Sequence, residues 1–126
     1  MDGDIKFAVE HFGTPLVVVM GHSNCGAVRA VLDAMTEPPA SEPSPGLASI
    51  VERIRPALEA EALPEDAEER VRHCVRLNVC AAVDELLRES SALAERVRQG
   101  RLLVVGAKYS LERGEVEFYE PASARA

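Results

Sequence analysis

Tryptophan is absent from this 126-residue chain, and Phe and Tyr bring the aromatic content to only 4%. A stacking platform for nucleic-acid bases needs more aromatic surface than that. Positive charge is also short, with 14 Lys and Arg against 21 Asp and Glu for a formal −7. Such a surface repels phosphate backbones and anionic lipid, so neither nucleic acid nor membrane is an expected partner. Long apolar runs are missing as well. The longest, residues 15–20, is far below the ~20 residues of a membrane-spanning helix. No basic, apolar, small-residue leader opens the sequence, which makes a cytoplasmic location the expectation. Cysteine is scarce and odd in number: Cys25, Cys74 and Cys80. Without a secretory leader, three cysteines argue against a disulfide framework and direct attention to nucleophilic or metal-ligating thiols.

What is present suits one globular domain over residues 1–126, with 47% hydrophobic and 28% charged residues. A chain of this length buries roughly two thirds of its unfolded surface, so it needs neither metal nor disulfide merely to fold. Residues 4–12 place Ile5, Phe7, Ala8, His11 and Phe12 at helical spacing, with Gly13 where a C-terminal cap would sit. Pro15 then opens LVVVM, a β-branched run short enough for a strand buried on both faces. The segment GHSNCG, residues 21–26, reads as a tight turn, and residues 27–35 read as a helix. Residues 36–46, which include Pro38, Pro39, Pro43 and Pro45, read as an exposed loop. Helical periodicity resumes over residues 47–60 through Leu47, Ile50, Val51, Ile54 and Leu58, with a kink or break expected at Pro56.

The longest helical pattern covers residues 65–89. Acidic residues suit its start, and its apolar face is Val71, Cys74, Val75, Val79, Ala82, Val83 and Leu86. A shorter helix over residues 92–99 ends at Gly100. Residues 102–105 form a second buried strand. Residues 109–111 lead into a turn at Glu112, Arg113 and Gly114, and residues 116–119 close a hairpin. The expected fold class is α/β: a short, mostly parallel sheet with a C-terminal hairpin and helices on both faces. Only three strands are countable, and two are strongly apolar, so the sheet is incomplete: such strands want neighbours at both edges.

Chemistry concentrates at His22 and Cys25, which glycines flank on both sides. A group at the end of a strand and another at the start of the next helix converge where α/β folds hold their ligands. A thiolate at a helix N-terminus gains from the dipole and the free amides there. His and Cys together also suit zinc, at roughly 2.0–2.1 Å and 2.3 Å respectively. From the residues alone, zinc binding, a reactive thiol and simple turn packing all stay open. Two phosphate readings do not survive. Gly21 and Gly26 have P-loop spacing, but Ala27 and Val28 occupy the positions of the required Lys and Ser/Thr. A cysteine-phosphatase loop needs Arg six residues after its Cys, where this chain has Val31.

The stretch GTPLVVVMGHSNCGAVRAV resembles the core segment of the β-class carbonic anhydrases, in which a strand ends in His-x-x-Cys-Gly and enters a helix. Downstream, Leu77-Asn78-Val79 is similar to an Asn-Val segment of that family. Residues 103–109 with Gly114-Glu115-Val116 are similar to its last strand and hairpin. Residues 4–13 resemble the helix before the motif strand, so the likeness spans nearly the whole chain. The resemblance implies zinc as cofactor with His22 and Cys25 as two ligands, reversible hydration of carbon dioxide to bicarbonate, a dry apolar substrate pocket, and a homodimer or higher homo-oligomer.

In that family a third ligand comes from an upstream Cys-x-Asp-x-Arg segment. None of the three cysteines here has Asp two residues on: Ala27, Arg76 and Ala82 hold those positions. Cys74 and Cys80 are the internal candidates for a third ligand, although six residues of helix separate them by about 120° around its axis. A cysteine so placed is more often a small buried hydrophobe than a ligand. His11 reads as a cap or interface residue, His73 as solvated, Arg29 as a surface charge, and Asp33 and Asp84 have no claim to the missing role. Besides the enzyme, two further functions fit the pattern: a catalytically inactive binding or assembly module of the same fold, and a thiol-dependent enzyme or redox sensor built on Cys25.

Overall fold

The computed structural model describes residues 2–36 and 44–121. Five helices and three strands follow one another as α1 (Asp2–Phe12), β1 (Leu16–His22), α2 (Gly26–Thr36), α3 (Pro45–Glu59), α4 (Ala67–Glu89), α5 (Ser91–Arg98), β2 (Leu103–Ser110) and β3 (Glu115–Phe118). The sheet order is β1-β2-β3. β1 and β2 are parallel, in register from Leu16 opposite Leu103 to His22 opposite Tyr109. β2 and β3 form an antiparallel hairpin from Ala107 opposite Phe118 to Ser110 opposite Glu115. The α/β class and the mostly parallel sheet with its C-terminal hairpin are as the sequence leads one to expect. None of the described helices is long and apolar enough to cross a membrane.

Local chemistry fixes the ends of these elements. Gly13 follows α1 at φ 62°, a left-handed position that glycine occupies without a Cβ penalty. Asp66 caps α4 by accepting from the Glu69 amide at 2.9 Å, and Glu68 and Glu69 place negative charge in the first turn, where the helix dipole favours it. Ser90 ends α4 through its backbone N–H and starts α5 through its side chain, which accepts from the Leu93 amide.

Helix α4 is the spine of the packing. Its first half, through Val71, Cys74 and Val75, joins Val28, Val31 and Leu32 of α2 and Val51, Ile54 and Leu58 of α3 in one buried cluster. Its second half, through Val83 and Leu86, joins Val9 of α1, Leu93 of α5, and Leu102 and Val104 in another. Two sheet glycines let α4 approach closely. A Cβ on Gly21 would lie 2.7 Å from Val79 Cγ2, and one on Gly106 would lie 2.8 Å from Val79 Cγ1, separations that packed side chains do not tolerate. Val79 therefore sits in a seat that only glycine at both positions can provide.

Three expectations need correction and one is narrowed. Of the kink or break expected at Pro56, the break does not occur: helix α3 runs through Pro56 without ending. Proline removes one hydrogen bond near the helix end on an exposed face, while burial of Ile54 and Leu58 on either side holds the last turn. The Pro-rich loop stops earlier than residue 46, because α3 already begins at Pro45, a residue type favoured in the first turn; residues 37–43 of that loop lie outside the described residues. β2 is one strand of 8 residues that includes Gly106, Ala107 and Lys108, where the apolar run alone suggested a shorter one. The described helices cover one face of the sheet, not two, since their apolar stripes all converge on α4. On the other face of β1, Leu16, Val18 and Met20 are 46%, 36% and 50% exposed. Val105 and Ala107 of the middle strand are nonetheless buried.

Candidate metal-donor turn

His22 is the last residue of β1, and Cys25 immediately precedes α2. The Arg29 amide donates to the Cys25 carbonyl at 3.0 Å, so Cys25 is the N-cap residue of α2. Between them, Ser23 and Asn24 reverse the chain. Asn24 does so at φ 53°, a left-handed conformation that Asn tolerates better than most residues.

The His22 ring has a defined role for each nitrogen. Nδ1 lies 2.9 Å from the Ser23 carbonyl oxygen. A carbonyl only accepts, so Nδ1 carries a proton, and in the neutral ring Nε2 is the nitrogen that keeps its lone pair. That tautomer, fixed by a backbone carbonyl, is the one in which metal-ligating imidazoles present Nε2. His22 is exposed, and Cys25 is half-buried against the α2–α3–α4 cluster.

The turn is tied to the β2–β3 hairpin. The Ser23 amide donates to the Tyr109 carbonyl at 2.9 Å. Ser23 Oγ accepts from the Leu111 amide at 2.9 Å and donates to Glu112 Oε2 at 3.1 Å. Asn24 Nδ2 donates to Glu112 Oε1 at 2.9 Å, and Arg29 Nη2 donates to Asn24 Oδ1 at 2.7 Å. Ser110 Oγ adds a further donor to Glu112 at 3.2 Å. The Glu112 carboxyl is held below the usual range, chiefly by its own backbone N–H and then by the Ser23, Ser110 and Asn24 donors.

The other residues singled out in the sequence lie elsewhere. Cys74 is fully buried inside the α2–α3–α4 cluster, where burial pushes its thiol up despite Arg70. Cys80 is half-buried on α4, within electrostatic reach of Tyr119. His11 stacks on Phe7 with ring centroids 4.4 Å apart, and His73 Nε2 lies 3.1 Å from a Glu61 carboxylate oxygen. Asp33 and Asp84 are exposed on α2 and α4. Among the described residues, no three His, Cys, Asp or Glu side chains are grouped to hold a metal. The structure thus brings His22 and Cys25 together at one turn and adds neither Cys74 nor Cys80 to them.

A cleft of about 410 Å³ opens beside the turn, between α4 and the hairpin. Its walls include Val71 and Val75, but also Arg72, Lys108, Glu115 and Glu117, and neither His22 nor Cys25 lines it. It is not the dry apolar substrate pocket that the resemblance implied.

Sequence reasoning did not find Ser23, Asn24 and Glu112. Glu112 is 88 residues from Asn24, and its sequence neighbourhood carries only a turn signal. Arg29, read as a surface charge, braces Asn24 and also approaches Glu68 at 3.8 Å.

Comparison with known proteins gives a consistent picture. A family model described as carbonic anhydrase matches residues 1–116. Carbonic anhydrase 2 of Mycobacterium tuberculosis is 36% identical over 112 residues, which are 89% of this chain and 52% of that protein. The β-carbonic anhydrase of Coccomyxa, solved in complex with acetazolamide, superposes with a TM-score of 0.75 at 24% identity, over 94% of this chain and 53% of its own. One of the tetrameric β-carbonic anhydrases of Sordaria macrospora gives 0.71 at 23% identity, over 92% and 57%. These two structures speak for the fold. The chain spans about half the length of the curated relatives it matches.

Proposed function

Because this chain belongs to the β-carbonic anhydrase family, we propose that it takes part in zinc-dependent, reversible hydration of carbon dioxide to bicarbonate, with His22 and Cys25 as two of the metal ligands. The observation that supports this most directly is the His22 ring. Its Nδ1–H is committed to the Ser23 carbonyl, so Nε2 is the free donor, three residues from the Cys25 thiol at the head of α2. An imidazole nitrogen with a thiol sulfur is a donor pair that suits zinc in kind.

The pair does not suit zinc in number. Catalytic zinc sites use three protein ligands and keep one position open, and the described residues group only two donors. The remaining donor in this proposal comes from another polypeptide segment or a second copy of the chain. When bound, zinc supplies Lewis-acid activation of a water at neutral pH. The contribution of this chain is to hold two donors in one tautomer and one backbone geometry at the end of a strand.

Homo-oligomerisation, as a dimer or larger, is part of the same proposal. It is supported by the bare apolar side chains of β1 and by the unpaired edge of that strand among the described residues, and it accords with the tetrameric relative from Sordaria macrospora.

Elemental analysis of metal-washed protein tests the site. The expected result is about one zinc per chain in the parent, the stoichiometry of a single tetrahedral site, and loss of metal in both His22→Ala and Cys25→Ala. Retention of zinc by both variants sinks the assignment. The two-donor count also favours a second reading, a catalytically silent module of the same fold. Undetectable carbon dioxide hydration by fully zinc-loaded protein would decide for it.

A further inference from the structure

The two residues between the donors, Ser23 and Asn24, have their side-chain polar groups taken up by the hairpin and by Arg29, and one carboxylate is the centre of that arrangement. Glu112 Oε1 receives Asn24 Nδ2, while Oε2 receives the Ser23 and Ser110 hydroxyls. The side-chain partners of Glu112 are Ser23, Asn24 and Ser110, not His22 or Cys25 themselves. It grips the chain between them, including Asn24 in its left-handed turn conformation at φ 53°.

We propose that Glu112 is a positioning residue for the donor pair: it fixes the separation and orientation of His22 Nε2 and Cys25 Sγ by clamping Ser23 and Asn24 to the β2–β3 turn. This rests on the reading of His22 and Cys25 as metal donors. Three side-chain donors converge on the Glu112 carboxyl beside its own backbone N–H, and an ionised carboxylate answers them with two acceptor oxygens and no proton of its own. Glutamine has the same shape but only one acceptor oxygen. With that oxygen on Asn24 Nδ2, its NH2 group can meet the two hydroxyls only if both turn from donating to accepting. The charge-assisted bonds of the carboxylate are lost as well, so the clamp weakens on that side. Arg29, which holds the other end of the Asn24 amide, cannot restore that side.

The test uses the full chain and the variant Glu112→Gln, with Glu95→Gln as a control that removes the same charge from an exposed helical ion pair with Arg98. In metal-free protein, hydrogen exchange at the Ser23 and Leu111 amides, which are hydrogen-bonded across the clamp, is expected to rise on the order of 10-fold in Glu112→Gln, as a locally opened unit does. Exchange at Val79 and the urea midpoint stay as in the parent, and Glu95→Gln behaves as the parent throughout. With cobalt(II) as the probe metal, the thiolate-to-cobalt absorption reports affinity lower by roughly 10-fold, within the range for groups that orient ligands without touching the metal.

Turn exchange equal to the parent's overturns the proposal. So does faster exchange that leaves cobalt affinity and the His22 and Cys25 resonances unmoved. A parent chain that takes up no cobalt instead counts against the metal reading. The positioning role is then decided by those resonances alone: shifted or broadened in Glu112→Gln they uphold it, and unchanged they refute it.

Discussion

Tyr119 lies just beyond β3, buried, with the Arg76 guanidinium carbon 4.7 Å from its ring centroid. Burial above all, with Glu117 adding to it and Arg76 opposing, pushes its hydroxyl up from 10.0 to about 12. A raised folded-state value means that the unfolded chain gives up this proton first. The contribution to stability is therefore whole below pH 10 and is lost as pH rises towards about 12. Tyr119→Phe keeps the ring under Arg76 and removes the proton, so this part of the alkaline destabilisation should vanish from melts recorded across that window. A variant that melts with the parent's alkaline slope would refute the assignment. At this scale the sequence was informative where chemistry is local. His22 and Cys25 are three residues apart in a glycine-bounded turn, and they share that turn because the chain between them is short. Glu112 was illegible because its role depends on where a hairpin turn lands, and nothing in the residues around it encodes that.

The fit between α4 and the sheet is a property of elements. Val79 presents one methyl to the Gly21 position and the other to the Gly106 position. Gly106→Ala would place a methyl 2.8 Å from Val79 Cγ1 and 3.2 Å from Tyr119 Cδ2, and overpacking of that kind costs about 1–3 kcal/mol. A urea titration should show that loss, and Val79→Ala in the same chain should recover part of it, giving a clearly non-additive cycle. Additive effects would mean that helix and strand do not compete for this space. The helices were readable because their apolar residues recur with helical period over long stretches, as Val71, Cys74, Val75, Val79, Val83 and Leu86 do along α4. Strand β2 was only half readable. Its apolar run ends at Val105, while Gly106, Ala107 and Lys108 carry on the strand by pairing with β1, and Ala107 and Lys108 pair with β3 on the other side as well. Pro56 does not break α3, since tertiary burial at Ile54 and Leu58 on either side holds the last turn.

At the scale of the whole molecule, the unequal covering of the sheet is the feature the sequence did not convey. Two apolar strands suggested helices on both faces, yet an apolar strand looks the same whether a helix of its own chain or another molecule covers it. β1 carries neither Lys nor Pro, the residues with which free edges are usually protected. Val18→Lys introduces that protection at an exposed position in mid-strand. In the proposed oligomer it should shift sedimentation towards the monomer with the fold retained by circular dichroism; an unchanged sedimentation profile would show that association does not use this face. The character of Leu16, Val18, Met20 and Leu103 also sets how such an assembly responds to its medium. No Asp, Glu, Lys or Arg lies along β1, so ionic strength has little to screen there. Apolar association weakens on cooling. Chilling, rather than added salt, is the condition under which contacts through this face would come apart.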